Sequence, residues 1–282
     1  MSEAARKFAD AGSRLADWCG KRERLVVLTG AGCSTDSGIP DYRDSAGAWK
    51  RKPPVQQRDF VAHHAVRQRY WARSLLGWRH FCRAEPNAAH RALARLESAS
   101  RLHHLITQNV DGLHQQAGSR AVTDLHGRLD EVQCLSCDAR ISRTEMQQRL
   151  ESRNPEWRDL MAAHAPDGDA DLEGCDFSRF DVPACEVCGG VLKPAVVFFG
   201  DAIPAAQTRS ALEMVERADA LLVVGSSLMV WSGYRLVRAA AERGLPVAAV
   251  NLGITRADSL LEFKLQVPCS IALSQMSTRL GL

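Results

Sequence analysis

The sequence predicts an α/β fold: a Rossmann-like, doubly wound parallel sheet with a smaller zinc-binding and helical lobe inserted. Three observations carry this reading. Short apolar, β-branched runs alternate with helical patterns along the chain. Each apolar run ends in small polar residues, so several loops converge at the carboxyl edge of one sheet. Two stretches break the rhythm, and one of them holds two C-x-x-C pairs.

Taken in order, Ala4 to Trp18 sets Phe8, Ala11, Leu15 and Trp18 at helical spacing and stops at Gly20. Leu25-Val26-Val27-Leu28-Thr29 reads as a buried parallel strand. It runs straight into Gly30-Ala31-Gly32, and a glycine-rich turn there is where such a sheet holds a phosphate. The pattern returns three times. Leu102 to Ile106 leads into Thr107-Gln108-Asn109-Val110-Asp111, Ala220 to Val224 into Gly225-Ser226-Ser227, and Pro246 to Val250 into Asn251-Leu252-Gly253. Helices are predicted at Pro86 to Ser98, Ala205 to Ala218, and Tyr234 to Arg243, the last closed by Gly244. Phe60 to Phe81, helical and rich in Arg and Trp, and Arg128 to Gly190 are the two insertions that form the second lobe. Ala165 to Gly174 reads as an exposed acidic loop.

The chain has 282 residues, 45% hydrophobic and 24% charged, an ordinary globular composition. Its net charge of +3 is unevenly spread. Lys50 to Arg101 holds 12 basic and 3 acidic residues, and Glu151 to Ala184 holds 3 basic and 9 acidic ones. Either block is a solvated face or a substrate-facing one. No apolar run reaches the roughly 18 residues of a membrane helix; the longest candidate, Ala220 to Trp231, is interrupted by Gly225-Ser226-Ser227. The N-terminus lacks a signal-peptide core, and Glu3, Asp10 and Asp17 argue against a transit peptide, so a cytoplasmic location is expected.

Four of the nine cysteines form two knuckles, Cys134-Leu135-Ser136-Cys137 and Cys185-Glu186-Val187-Cys188. Two such knuckles complete a tetrahedral zinc site with no open position, so the zinc is expected to be structural. A disulfide pair is the alternative, disfavoured in a reducing compartment. Cys175 lies between the knuckles as a competing ligand without a partner two residues away. In the loop after the first strand, Ser34 and Ser37 offer hydroxyls for a phosphate or a helix cap. Pro40 stiffens the loop, Tyr42 offers a ring, and Arg43 offers a fork for an anion.

The loop Gly30-Ala31-Gly32-Cys33-Ser34-Thr35-Asp36-Ser37-Gly38-Ile39-Pro40-Asp41-Tyr42-Arg43 resembles the signature of the sirtuins, the NAD-dependent protein deacylases. The other sirtuin motifs follow in order: Thr107 to Asp111, Leu125-His126-Gly127, the two knuckles, Lys193 to Asp201, Gly225 to Ser227 and Asn251 to Gly253. Arg69-Tyr70-Trp71-Ala72-Arg73, Pro86 to His90 and Phe198-Phe199-Gly200-Asp201 look most like class II members. In the sirtuin layout, residues 1–48, 86–127 and 193–282 form the NAD-binding lobe. Residues 49–85 are a helical insertion, and 128–192 form the zinc-binding small lobe.

The resemblance implies roles residue by residue. Gly30, Ala31, Gly32, Ser34, Ser37, Gly38, Ile39, Pro40, Asp41, Tyr42 and Arg43 would wrap NAD, a co-substrate. Gly225, Ser226, Ser227, Asn251, Leu252, Gly253 and Cys269 would hold its adenosine half. Ala31, Ile39, Gln108, Asn109 and Asp111 would form the nicotinamide pocket, with Val110 also cofactor-binding and Asn109 and Asp111 also assigned to catalysis. His126 would be the general base: the acyl oxygen attacks the ribose as nicotinamide leaves, and a ribose hydroxyl, deprotonated through His126, attacks the resulting carbon. The products implied are lysine, nicotinamide and 2′-O-acyl-ADP-ribose. Val197, Phe198, Phe199 and Gly200 would bind an extended acyl-lysine peptide by strand addition. Tyr70 and Arg73, three apart on a helix, share a face and resemble a Tyr-x-x-Arg pair that takes acidic acyl groups in another sirtuin class, implying acyl groups longer than acetyl; the alternative is a surface arginine on a helix already rich in Arg67, Arg69 and Arg79. The same NAD site also suits mono-ADP-ribosyl transfer to protein. A zinc-knuckle nucleic-acid module is disfavoured, because the basic block is not adjacent to the knuckles and Cys185 sits in acidic surroundings.

Overall fold

A computed structural model of the protein describes residues 3–50, 54–158, 160, 163–164, 170–172 and 174–282. The predicted acidic loop at 165–174 lies largely outside them, as do Arg51 and Lys52 of the basic block.

The first strand, β1 (Leu25–Thr29), is buried along its whole length. It lies between β2 (His104–Thr107) and β9 (Ala220–Val224), parallel to both, with Val27 opposite Leu105 and Leu222. The sheet has six parallel strands: β11 (Phe263–Leu265), β10 (Val247–Val250), β9, β1, β2 and β3 (Val122–Asp124), in that order. Side chains alternate between its faces, so each strand feeds two cores. Leu25, Val27, Leu105, Leu222 and Val250 pack with α1 (Glu3–Gly20), α4 (Ala88–Ser98) and α9 (Cys269–Arg279). Val26, Leu28, Ile106, Leu221 and Val223 pack on the other face with α7 (Ala205–Arg217) and α8 (Trp231–Glu242).

The central strands and their helices match the predicted ones, with ends shifted by a turn or less. Strands β3 and β11 were not predicted, since three residues carry no readable alternation. The one-turn helix α5 (Leu113–Gln116) and helix α9 were not predicted either. The Arg- and Trp-rich stretch is two helices, α2 (Gln57–Ala62) and α3 (His64–Phe81), because His63 between them is extended at φ −119° and ψ 120°.

The small lobe is built on a three-stranded antiparallel sheet with β4 (Gly127–Cys134) in the centre, flanked by β5 (Arg140–Ser142) and β8 (Leu192–Val196). Residues 193–196, grouped by sequence with the cofactor lobe, thus pair into this sheet. Helix α6 (Arg143–Arg153) lies over it. Trp71, Leu75, Met146, Leu150, Val132 and Phe180 form its core with α3. Arg143, fully buried, donates to the Ser74 carbonyl and hydroxyl at 3.0 Å and to Gln147 at 2.9 Å, and sits 4.9 Å from the Trp78 ring centre. A pair of two-residue strands, β6 (Ala163–His164) and β7 (Ala170–Asp171), completes the lobe.

All four knuckle cysteines meet at its tip. Cys134 Sγ is 3.5 Å from Cys188 Sγ, Cys137 Sγ is 3.8 Å from Cys185 Sγ, and the four lie within 4.8 Å of one another. Zn–S bonds of about 2.3 Å in a tetrahedron give sulfur separations of about 3.8 Å, so the set fits one zinc ion. None of the four is in a disulfide, and Cys175 is exposed and outside the group. The backbone N–H of Ser136 donates to Cys134 Sγ at 3.4 Å and holds that thiol below its ordinary value, which favours the thiolate. At Gly190 a Cβ would sit 2.6 Å from Ser136 Oγ and 2.9 Å from Cys134 Sγ, so the knuckle closes only around glycine.

Cys188→Ser should remove the bound zinc, from about one ion per chain to none by metal analysis. Losing ~3–5 kcal/mol of stability should lower the thermal midpoint by roughly 10 °C. Full zinc retention in the purified variant would show that the ion is held elsewhere.

Candidate functional site

The carboxyl edge of the large sheet and the small lobe enclose a cavity of about 530 Å³, within the usual range of small-molecule sites. Its floor is made where two loops touch backbone to backbone. Gly30 N–H donates to the Val224 carbonyl at 3.0 Å and Gly32 N–H to the Gly225 carbonyl at 2.8 Å. Gly225 has φ +62°, and a Cβ there would lie 2.2 Å from Cys33 N. A Cβ on Gly30 would lie 2.8 Å from Ser226 Cβ. Only glycine permits this approach, which lays bare backbone in front of a ligand. After Gly30 the chain winds through two short 3₁₀ turns, Ala31–Cys33 and Thr35–Ser37. At the far side, Gly253 presses on the Ser45 carbonyl, where a Cβ would lie 2.7 Å away, and Ile254 N–H donates to that carbonyl.

Beside the floor lies a connected polar cluster. Ser34 Oγ donates to Asp111 Oδ2 at 2.7 Å and receives Asn109 Nδ2 at 3.0 Å. Asn109 Nδ2 also reaches the Gly30 carbonyl at 3.1 Å, and the Leu113 N–H donates to Asp111 Oδ1 at 3.0 Å. Burial pushes the Asp111 carboxyl above its usual range, opposed by the Leu113 N–H and the Ser34 hydroxyl. Behind the cluster, Asn87 caps α4 and holds the Cys33 carbonyl at 2.8 Å and Ser37 Oγ at 3.0 Å. Burial lowers His90 to about 4, so it is neutral at neutral pH.

His126 stands at the start of β4 and faces the cavity. Its Nδ1 lies 2.8 Å from the Gln108 carbonyl and its Nε2 2.8 Å from Ser232 Oγ. A carbonyl only accepts, so Nδ1 carries the proton and Nε2 keeps the lone pair. Burial lowers the pKa, partly offset by the Gln108 bond, and the ring is neutral at physiological pH. A neutral imidazole with a fixed tautomer is equipped to accept a proton at Nε2.

On the opposite wall, Phe198 packs edge-on against Phe60 and Tyr70, with ring centres 5.2 and 5.3 Å apart. Phe199 packs on Trp49 at 5.6 Å, and its carbonyl accepts from the Gln57 N–H at 2.9 Å. The Arg43 guanidinium lies 3.9 Å from the Trp49 ring centre and donates to the Gly47 carbonyl at 2.7 Å. Cys269, buried with its thiol pushed up to about 12 by burial, also lines the cavity.

Most of the residues singled out in the sequence line this cavity. Of the predicted cofactor- and substrate-binding residues, Ser37, Gly38, Pro40, Arg73 and Gly200 are not among those lining it, and the four knuckle cysteines lie apart from it. The sequence reading missed Trp49, Asn87 and Ser232. Asn87 was findable as a helix cap three residues before His90; nothing local marks Trp49 or Ser232.

A family profile described as the Sir2 family matches residues 30–232. An NAD-dependent protein deacetylase of Bordetella bronchiseptica is 59% identical over 262 residues, covering 93% of this chain and 96% of its own. NAD-dependent protein deacetylase 2 of Bradyrhizobium diazoefficiens is 58% identical over 264 residues, 94% of this chain and 97% of its own. A solved Sir2–p53 peptide–NAD+ complex superimposes with a TM-score of 0.73 at 30% identity, covering 94% of this chain and 95% of that one. Fold, site and relatives agree: the chain belongs to the Sir2 family.

Proposed function

We propose that the protein is an NAD-dependent protein-lysine deacetylase in which His126 is the general base. The observation that carries this is the fixed neutral tautomer of His126 at the wall of a glycine-floored cavity. The residues present suit NAD. Bare backbone at Gly30, Gly32 and Gly225 admits a diphosphate, and the amides of Gln108 and Asn109 with the Asp111 carboxyl suit nicotinamide, itself a donor and acceptor. When bound, NAD supplies an electrophilic ribose carbon by releasing nicotinamide, and the products are lysine, nicotinamide and 2′-O-acyl-ADP-ribose. His126 accepts the proton of a ribose hydroxyl. Val197 to Gly200 hold the acyl-lysine segment of a protein or peptide, and Phe198 and Tyr70 exclude water from the acyl chain. The zinc would be held by Cys134, Cys137, Cys185 and Cys188, remote from the cavity, and would shape the lobe rather than react.

We infer also that the tunnel admits acyl chains longer than acetyl, supported by Tyr70 in its wall. An acidic chain would need Arg73, three residues along on α3 and outside the cavity wall, to turn inward.

His126→Ala should lower deacetylation at least about 10³-fold while leaving NAD affinity within about threefold by calorimetry. Product mass spectrometry should give free lysine with O-acyl-ADP-ribose; an ADP-ribosyl adduct on protein instead would favour mono-ADP-ribosyl transfer. Wild-type turnover in the variant would sink the base assignment. For the tunnel, Arg73→Ala should lower kcat/KM for succinyl-lysine about tenfold relative to acetyl-lysine. An unchanged ratio across a panel of acyl peptides removes the acidic arm.

A further inference from the structure

The imidazole of His126 is held at both nitrogens, and only one partner belongs to the sequence motifs. Ser232 supplies the other, from the first turn of α8, with its Oγ 2.8 Å from Nε2. It is 8% exposed and is not part of the cavity wall. Next to it, a Cβ on Gly233 would lie 2.5 Å from Gln108 Oε1. Thus α8 presses on the same Gln108 whose backbone carbonyl receives Nδ1–H. Gln108 is itself tied down, donating to Ser226 Oγ at 2.7 Å. The ring is therefore clamped between a fixed carbonyl and a helix hydroxyl.

We propose that Ser232 is a positioning residue for the reaction, acting through His126; the inference rests on reading His126 as the base. A serine hydroxyl both donates and accepts, so it serves the two protonation states of the ring in turn. While the ring is neutral, Ser232 O–H donates to the Nε2 lone pair and holds the rotamer. When a substrate hydroxyl replaces it, the Ser232 proton rotates away. The substrate O–H bond then breaks, the proton forms the Nε2–H bond, and the electron pair stays on the substrate oxygen. Once the substrate oxygen moves off to attack, the Nε2–H donates to Ser232 Oγ in its place, so the imidazolium has an acceptor on each side, Gln108 O and Ser232 Oγ. A base oriented and charge-supported by a second group follows the logic of catalytic triads.

Charged groups on the neighbouring elements give the imidazolium little other help. Arg235, one turn along α8, repels it. Arg128 on β4 is paired with Asp130 at 2.5 Å, and Lys193 on β8 lies 3.8 Å from Asp201.

Hydrogen bonds to charged groups are stronger than neutral ones, so Ser232 raises the His126 pKa on balance. In Ser232→Ala, kcat should fall about fivefold with KM for NAD nearly unchanged, and the acidic limb of the kcat–pH profile should move down by about half to one unit. Ser232→Thr, which keeps the hydroxyl, should restore both, and an NMR titration of the His126 ring should show the same downward shift. A fall in kcat with an unmoved limb and ring pKa, or no rescue by Ser232→Thr, overturns the positioning role while leaving the base assignment intact. Turnover retained in His126→Ala overturns both.

Discussion

The antiparallel ladder between Gly127–Cys134 and Leu192–Val196 ties the metal lobe to the chemistry. One end pairs Leu192 with Cys134, a knuckle cysteine. The other end pairs Val196 with Gly127, directly after His126, and the Val197 N–H donates to the His126 carbonyl at 2.8 Å. Gly127 has φ +77°, and a Cβ there would lie 2.1 Å from the Ala195 carbonyl oxygen, so the strands close only around glycine. A zinc ion held at one end would thus anchor the ladder whose other end, past an irregularity in pairing between Gly127 and Val132, carries the histidine and leads into Val197–Gly200. A closed, four-thiolate site suits this task, because a rigid anchor is needed and an open coordination position is not.

The cofactor half depends on a different constraint, the contact of two glycine loops at the ends of adjacent parallel strands. Parallel strands present their carboxyl ends side by side, so β1 and β9 bring Gly30–Gly32 and Gly225 together without long connections. The polar cluster of Ser34, Asn109 and Asp111 is assembled by the neighbouring strand β2 in the same way. Its groups satisfy one another before a ligand arrives, which reduces the rearrangement that binding requires.

What the sequence revealed follows from which signals are local. Strands such as Leu25–Thr29 and Ala220–Val224 are continuous apolar runs because both faces are buried, and they were legible to the residue. The knuckles were legible because thiolate spacing is a local requirement of the metal. Strands Val122–Asp124 and Phe263–Leu265 were not, since an edge strand of three residues owes its pairing to its neighbours. His126 was legible only through the resemblance of its motif, because a single histidine carries no spacing. Ser232 and Trp49 came from elsewhere in the chain to complete contacts, and no pattern around them encodes the partner they meet.

The charge distribution acquires a physical meaning at the level of single guanidinium groups. The basic block does not present one continuous field. Arg67 donates to the Phe60 and Val61 carbonyls at 2.9 and 2.8 Å, tying α3 to the end of α2. Arg79 pairs with Glu151 of the acidic block at 3.1 Å and donates to the Arg158 carbonyl, joining the helical insertion to the small lobe. Arg91 is turned back to the Pro86 carbonyl. Planar guanidinium groups with several donors suit this work, since one side chain satisfies carbonyls at helix ends that would otherwise be left open. A surface pair such as Arg79–Glu151 contributes at most about 1 kcal/mol, so its main effect is on where α3 sits rather than on overall stability. Because Tyr70 lies on α3 and lines the cavity, the arginine-rich block acts on the site through the placement of that helix, at shorter range than a net charge of +3 would suggest.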